Sequence, residues 1–374
     1  MNGQWVGSYY NNGAIIGTIV FDLDDMGTHF EGYAYVFPEN QLEPRVAFFI
    51  KTNDKKRKFE LSLKPLPIHP DTGFFVPWEQ IAQRFPNTAL PSLIKAKFSY
   101  SNKSMKIEWQ SDKNTNGNVS LEKRQGKGTT EYVPLEDVKD WVSFKTFVNS
   151  SSCNGCIYRG QAQTQRLRTS FHRTERANLE RFLQDIRVLH RHLSSRTNHI
   201  FNLDNADENG AFFNLVQHHG FPTPLLDWTY SPFVSAFFAY HKINNHEAEK
   251  RSNKNKKVRI FIFDQAKWRG DYNQVSMLTR IPLHFSIMEF IAINNERMIP
   301  QQAISSVTNI DDVERYILEC EKRQNTQYLR IVDLPVSERP RVMTELRLMG
   351  ITAGSLFPGL DGACEELKEK LFSI

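Results

Sequence analysis

The stretch Gln217-His-His-Gly-Phe-Pro-Thr-Pro-Leu-Leu-Asp-Trp-Thr-Tyr-Ser-Pro232 combines backbone-determining residues with an unusual density of hydrogen-bonding groups. Gly220, Pro222 and Pro224 restrict the backbone, and Ser231-Pro232 has the chemistry of a helix N-cap and first turn. Phe233, Ala236, Phe237 and Tyr240 then recur on one face, so a helix is expected to follow. The part between reads as a rigid connection with Gln217, His218, His219, Asp227 and Thr229 set beside apolar neighbours. Such a connection costs stability unless it shapes a site. A purely structural reading stays open, with Asp227 capping the helix and one histidine satisfied in the core.

Outward from this stretch the pattern is mixed α/β. Downstream, 258–264 reads as a buried strand, 298–306 as strand and turn, and 313–321 and 342–349 as helices. Upstream, 209–219 reads as a helix and 174–192 as an amphipathic one, with Leu179, Phe182, Leu183, Ile186 and Leu189 at three- and four-residue steps. Residues 156–160 form a short strand running into a glycine turn, and 137–149 a further helix.

Before residue 126 the period changes to two. Residues 15–21 and 30–37 flank the turn Asp22-Leu-Asp-Asp-Met-Gly27, and five more short strands are expected over 46–51, 58–63, 96–100, 106–110 and 118–121. About seven strands at this spacing predict a small antiparallel barrel or sandwich. Gly32 marks a bulge or a close-packing point. The proline-rich stretch 64–77 interrupts the strands, and 78–84 offers a short helix. Trp5, Trp78 and Trp109 read as core anchors, and no catalytic constellation appears. Gly126-Lys-Gly128 reads as a short flexible join. The expected fold class is therefore α+β: a β-rich module of unknown role over 1–125, then a mixed α/β domain over 126–374.

The totals constrain function less. The 374 residues carry a net charge of +5, which permits an anionic partner without demanding one. No apolar run approaches the ~20 residues of a membrane-spanning helix, and the first residues lack a secretory signal, so a cytoplasmic protein without membrane contact is expected. Cys153 and Cys156 have the spacing of a redox motif or half a zinc site. Cys320 and Cys364 supply no second pair, so no metal is expected and two reduced thiols are the simpler reading. The basic run 250–259 reads as a solvated loop, with phosphate contact the alternative.

Two further segments hold candidate chemistry. Ile157-Tyr-Arg-Gly-Gln161 places Arg159 at a strand end, suited to bidentate phosphate recognition, with Gly160 letting a ligand approach the backbone. Asn294-Asn-Glu-Arg-Met-Ile-Pro-Gln-Gln-Ala303 offers Arg297, Gln301 and Gln302 for a polar ligand. The chain has no P-loop, dinucleotide fingerprint, zinc-protease motif or nucleophile elbow, so any phosphate must be held by side chains.

Tyr158-Arg-Gly-Gln161, Gln217-His-His-Gly220, Leu225-Leu-Asp-Trp-Thr229 and Ser231-Pro232 together resemble the FRG domain, named for its Phe/Tyr-Arg-Gly signature. Ala236-Phe-Phe-Ala239 falls where that family has a small-residue helix. Arg297 with Gln301-Gln302 resembles its Arg-x-x-x-Gln-Gln element, and Ser355-Leu-Phe-Pro-Gly-Leu-Asp361 its terminal segment. The resemblance extends over about residues 135–374. The FRG domain is in turn similar to ADP-ribosyltransferases, in which a split, mostly antiparallel sheet holds NAD as substrate. That similarity implies Arg159 and Gly160 at the NAD phosphates, and His219-Gly220 at the nicotinamide ribose, with His218, Trp228, Thr229 and Ser231 around it. Asp227 or Glu296 would stabilise the developing cation or polarise the acceptor. Gln301 or Gln302 stands where many transferases carry a catalytic Glu. The implied acceptor is a nucleic acid or a protein, and the implied setting a toxin or antiviral system. Two other functions fit the same residues: a non-catalytic module binding a nucleotide or RNA through Arg159, His218 and His219, and a metal-independent nuclease. On either site reading Arg159, His219, Asp227 and Gln301 are expected to line one cavity.

Overall fold

The structure, a computed structural model, describes residues 1–11, 14–150 and 154–372. The period-two region forms β1 (Gly3–Asn11), β2 (Ala14–Asp25), β3 (Phe30–Pro38), β4 (Val46–Lys51), β5 (Lys58–Leu63), β6 (Leu66–Pro67), β7 (Ile94–Tyr100), β8 (Ser104–Ser111) and β9 (Asn116–Arg124). All nine belong to one antiparallel sheet in the order β5-β7-β8-β9-β1-β2-β3-β4-β6. The sheet curls around Trp5, Phe21, Phe30, Phe98, Ile107 and Leu121. It is a half-barrel with β5 and β6 at its edges, not the closed barrel or two-sheet sandwich expected. Prolines at 65, 67, 70 and 77 explain the open edge, because they lack the N–H donors that a closing ladder needs. Gly32 stays in register between Leu23 and Ile50, so it makes no bulge. A Cβ there would stand 2.0 Å from the Asp22 carbonyl oxygen, which makes it a close-packing point. Residues 78–84 form two single 3-10 turns, not one helix.

The second sheet contains β10 (Cys156–Gln161), β11 (Leu225–Thr229), β12 (Lys257–Asp264), β13 (Phe285–Met288), β14 (Ala303–Thr308) and β15 (Leu329–Pro335), in the order β13-β14-β11-β10-β12-β15. No strand of the first sheet enters it. The helices among the described residues are α1 (Trp141–Val148), α2 (Ser170–Arg173), α3 (Leu179–Leu193), α4 (Ala206–His218), α5 (Pro232–Tyr240), α6 (Asn245–Glu249), α7 (Gln265–Asp271), α8 (Val313–Gln324), α9 (Arg339–Leu348), α10 (Ala353–Leu356) and α11 (Leu360–Phe372). On one face of the sheet Trp141, Phe237, Tyr240 and Leu346 cover Val258, Ile260 and Ile262. On the other Trp268 and Ile317 cover Ile157, Phe261 and Phe263.

Two departures from the sequence reading matter for the site. Residues 225–229, read as a rigid loop, are strand β11, paired with β14 along all five positions. The prolines precede the strand and leave its ladder intact. The helix expected over 174–192 begins at Leu179, because Glu175 takes a left-handed φ of 66° and Asn178 caps the first turn, accepting from the Arg181 backbone N–H at 3.1 Å.

The two sheets are joined by polar contacts. The Asp24 carboxylate accepts from the backbone N–H groups of Ala177 (2.8 Å) and Asn178 (3.0 Å) and from Arg176 Nε (3.0 Å). Gln4 Nε2 donates to the Asn309 carbonyl oxygen at 2.7 Å, and the Tyr35 hydroxyl of β3 donates to Glu180 Oε1 at 3.4 Å. The join expected to be flexible is tied down, since the Gly126 N–H donates to Asp311 Oδ1 at 3.2 Å.

Asp22 lies at this junction, buried, with its Oδ1 accepting from Gln4 Nε2 at 2.9 Å. Burial pushes its carboxyl up to about 8; the Gln4 hydrogen bond opposes the shift, and Asp24, Asp311 and Glu180 add to it. The folded chain therefore keeps a proton that the unfolded chain releases near an ordinary aspartate pKa of about 4. Stability from this group is complete below that value and is lost as pH rises toward about 8. Asp22→Asn keeps the acceptor oxygen and removes the titration. Its melting temperature should gain on the parent's steadily across that window, and a gap independent of pH would refute this.

Candidate functional site

The β10–β11 pair is where the second sheet opens. The two strands share one register point, Tyr158 opposite Thr229, and diverge beyond it. A cavity of about 580 Å³ lies there, within the ~300–1,000 Å³ usual for small-molecule sites. Divergence leaves the Asp227 carbonyl without a strand partner, and Arg159 Nη1 donates to it at 2.6 Å. Arg159 Nε is buried with no partner. Burial lowers the Arg159 pKa to about 10, the Asp227 charge partly restoring it and Arg173 lowering it further. The guanidinium thus remains charged at neutral pH.

The Asp227 carboxylate is oriented by a short relay. Thr223 Oγ1 donates to Gln217 Oε1, and Gln217 Nε2 donates to Asp227 Oδ1. Both Asp227 and Gln217 line the cavity, as do Arg173, Lys242 and Arg297. Arg297 Nη1 donates to the His218 carbonyl oxygen at 3.1 Å, and its guanidinium sits 5.4 Å from the Phe357 ring centre. Among the described residues none of Arg159, Arg173, Lys242 and Arg297 is in an ion pair. The cavity thus holds four unneutralised cations and one carboxylate, an arrangement that favours an anion.

Of the two adjacent histidines, His218 lines the cavity and His219 does not. Helix α4 ends at His218, so His219 is the exposed C-cap residue. Burial lowers the His218 pKa, with Asp227 opposing it. Its Nδ1 accepts from Asn295 Nδ2 at 2.7 Å, the arrangement of a neutral ring. Gly220 has a φ of 85° with open space where a Cβ would be, and the Phe221 N–H returns to the Val216 carbonyl at 2.9 Å. Its freedom serves helix termination.

The remaining sequence candidates are spread out. Gln301 lines the cavity, and its Nε2 donates to the Leu356 carbonyl oxygen at 2.9 Å, holding the C-terminal segment against the site. Glu296 and Gln302 are exposed and outside the cavity. Trp228 reaches the cavity edge but turns its indole into the core, donating to Ser306 Oγ at 3.0 Å. Thr229 Oγ1 donates to the Gln301 carbonyl oxygen at 2.7 Å. Ser231 caps α5, accepting from the Val234 N–H at 3.2 Å. Arg159, Asp227 and Gln301 therefore converge as the sequence reading expects, and His219 is replaced at the cavity by His218.

Gly160 lines the cavity too, yet its lack of a side chain answers to packing. A Cβ there would stand 1.9 Å from the Ser235 carbonyl oxygen and 2.7 Å from the Ala239 nitrogen. Only glycine lets α5 press this closely on β10. Gly160→Ala should cost about 1–3 kcal/mol through overpacking, read as a lowered urea midpoint at unchanged slope. An unaltered midpoint would mean that α5 does not rest on β10 in this way.

Sequence reasoning missed Arg173, Phe238, His241, Lys242 and Phe357. Phe238 and Lys242 carried a usable signal: Ser235, Phe238 and Lys242 recur at helical steps, in α5 and just beyond its end, on the side opposite Ala236 and Tyr240. His241 stacks on Phe237 at 4.9 Å, and burial lowers its pKa to about 4. For Arg173, on a one-turn helix, no periodicity was available.

Of the cysteine pair, Cys153 lies outside the described residues, and Cys156 is buried, its Sγ accepting from Arg330 Nη2 at 3.3 Å. Among the described residues no group of three or more His, Cys, Asp or Glu is placed to hold a metal. No described helix is long and apolar enough to cross a membrane.

Comparison with known families matches residues 154–248 to the FRG domain. The match includes Arg159, Gly160, His218 and Asp227. It covers about a quarter of the chain, and Arg297, Gln301 and the 355–361 segment lie beyond it. No curated protein and no solved structure matches the chain.

Proposed function

We propose that the cavity at the β10–β11 split binds NAD and supports transfer of its ADP-ribose to an acceptor or to water. The observation that carries this reading is the set of four unpaired cations around one oriented carboxylate. Arg159, with Arg173 and Arg297, would hold the pyrophosphate. The single register point between β10 and β11 supports the likeness to the split sheet of ADP-ribosyltransferases. His218, neutral and fixed by Asn295, would take the ribose-facing place that the resemblance gave to His219.

In the reaction the bond between the nicotinamide nitrogen and ribose C1′ breaks, and nicotinamide leaves with the bonding pair. A nucleophilic oxygen or nitrogen of the acceptor, or water, bonds to C1′, and its proton passes to Asp227 and on to solvent. Asp227 stabilises the positive charge that builds on the ribose before that bond forms. Its relay to Gln217 and Thr223 keeps it in place without reorganisation.

A second reading, a non-catalytic nucleotide-binding module, draws support from Gln301, whose amide holds Leu356, and from Glu296, which faces away from the cavity. The nuclease reading has less: its two histidines do not converge, since His219 stands outside. Chromatographic detection of nicotinamide after incubation with NAD, with and without nucleic acid or protein acceptors, separates the first two. Release is expected. NAD binding without release under any of these conditions would establish the binding module instead.

A further inference from the structure

A second cleft, of about 690 Å³, adjoins the cavity. Ala162, Gln163 and Lys242 line both, so the two open on either side of the same three residues. Its outer wall is the basic run beyond α6, from which Lys256 and Lys257 line the cleft. Both are exposed, and among the described residues neither they nor Lys242, Lys250, Arg251 and Lys254 enter an ion pair. The acidic residues at the cleft do not cancel this charge. Asp333 is already neutralised by Arg259 through contacts of 2.7 and 2.8 Å, which leaves Glu247 alone against three lysines.

We propose that this cleft seats a single strand of nucleic acid, with backbone phosphates along Lys242, Lys256 and Lys257 and one nucleotide reaching the inner cavity. What then happens to that nucleotide rests on the proposed ADP-ribosyl transfer; the binding itself does not. Three features favour a nucleic-acid strand over an acidic peptide. Three lysines line one cleft whose outer wall belongs to a longer basic run, which suits a backbone charged at every residue. Thr164, Asn253 and Asn255 add hydrogen-bonding groups of both kinds, which base edges use and carboxylates do not. At the inner end Phe238 and Phe357 line the cavity, their ring centres 6.0 Å apart and their planes nearly perpendicular, and offer faces on which a base can stack. A duplex shows such a cleft only its outer backbone and cannot send a base inward without unstacking it.

The test is fluorescence anisotropy of the full chain with labelled single-stranded DNA and RNA of about twelve nucleotides, the matching duplexes, and polyglutamate. At least one single strand should bind more tightly than its duplex and than polyglutamate, and its affinity should fall with salt. Lys256→Ala combined with Lys257→Ala should weaken that binding about tenfold or more and reduce the salt slope by about 1.4, two contacts at ~0.7 each. NAD binding by the same variant should equal the parent's. No single-strand binding by the parent, equal binding of polyglutamate or duplex, or parent-like affinity in the double variant would overturn the proposal. Lysine-dependent strand binding by a chain that never binds NAD would uphold this proposal and overturn only the NAD reading.

Discussion

Asp227→Asn should lower the rate of nicotinamide release about a hundredfold or more while NAD affinity changes only a few-fold. Among the described residues the carboxylate is the one anionic group lining the cavity, held by Gln217, which Thr223 holds in turn. Asparagine is isosteric and can still accept from Gln217, so geometry is kept and charge is removed. Loss of a single preorganised electrostatic contact to a transition state typically costs ~100- to 1,000-fold in rate. Because the positive charge on the ribose appears only as nicotinamide departs, the effect belongs to kcat and not to ground-state binding. Single-turnover rates on saturating NAD would read it, with thermal melting as the check on folding. A variant turning over at the parent's rate would remove Asp227 from the mechanism.

Arg159→Ala should act on the other side of that division. The guanidinium is buried at the split, one arm on the Asp227 carbonyl and Nε without a partner. A hydrogen bond from a charged donor to phosphate is worth about 1.5–3 kcal/mol, so NAD affinity should fall by roughly 10- to 150-fold at 1.4 kcal/mol per factor of ten. Arg159→Lys should recover only part of it, since a lysine keeps the charge but not the forked donors. Removing Arg159 also leaves the Asp227 carbonyl short of a partner, so both variants need melting curves. Binding unchanged in a folded Arg159→Ala protein would place the phosphate elsewhere.

How far these features could be read from the chain varied with the physics behind each. The half-barrel was legible where its strands bury one face, as in β7, where Ala96 and Phe98 alternate with exposed Lys95, Lys97 and Ser99. Its failure to close was less so, since edge prolines mark where pairing stops without saying whether the ends meet. Strand β11 escaped because both its faces are covered. Leu-Leu-Asp-Trp-Thr shows no alternation, and the prolines before it read as loop. Arg159 and Asp227 could be singled out by residue type alone. Choosing between His218 and His219 could not be done that way, because it depends on where α4 ends, and one residue of helix turns a side chain by about 100°. Gly160 illustrates a different limit. A glycine beside a functional arginine suits close ligand approach and close helix packing equally, and only the position of Ser235 decides for packing.

If the unpaired cations at the β10–β11 split hold the pyrophosphate of NAD, ligands that carry a pyrophosphate should bind far better than one that lacks it. Isothermal titration of the parent protein with NAD, ADP-ribose and nicotinamide riboside tests it most directly, because the three ligands share pieces but only two contain the pyrophosphate. NAD and ADP-ribose should bind with comparable affinity, weakened by salt and by Arg159→Ala, and nicotinamide riboside should bind far more weakly. Nicotinamide riboside binding as tightly as NAD, or a folded protein that takes up none of the three, would contradict it.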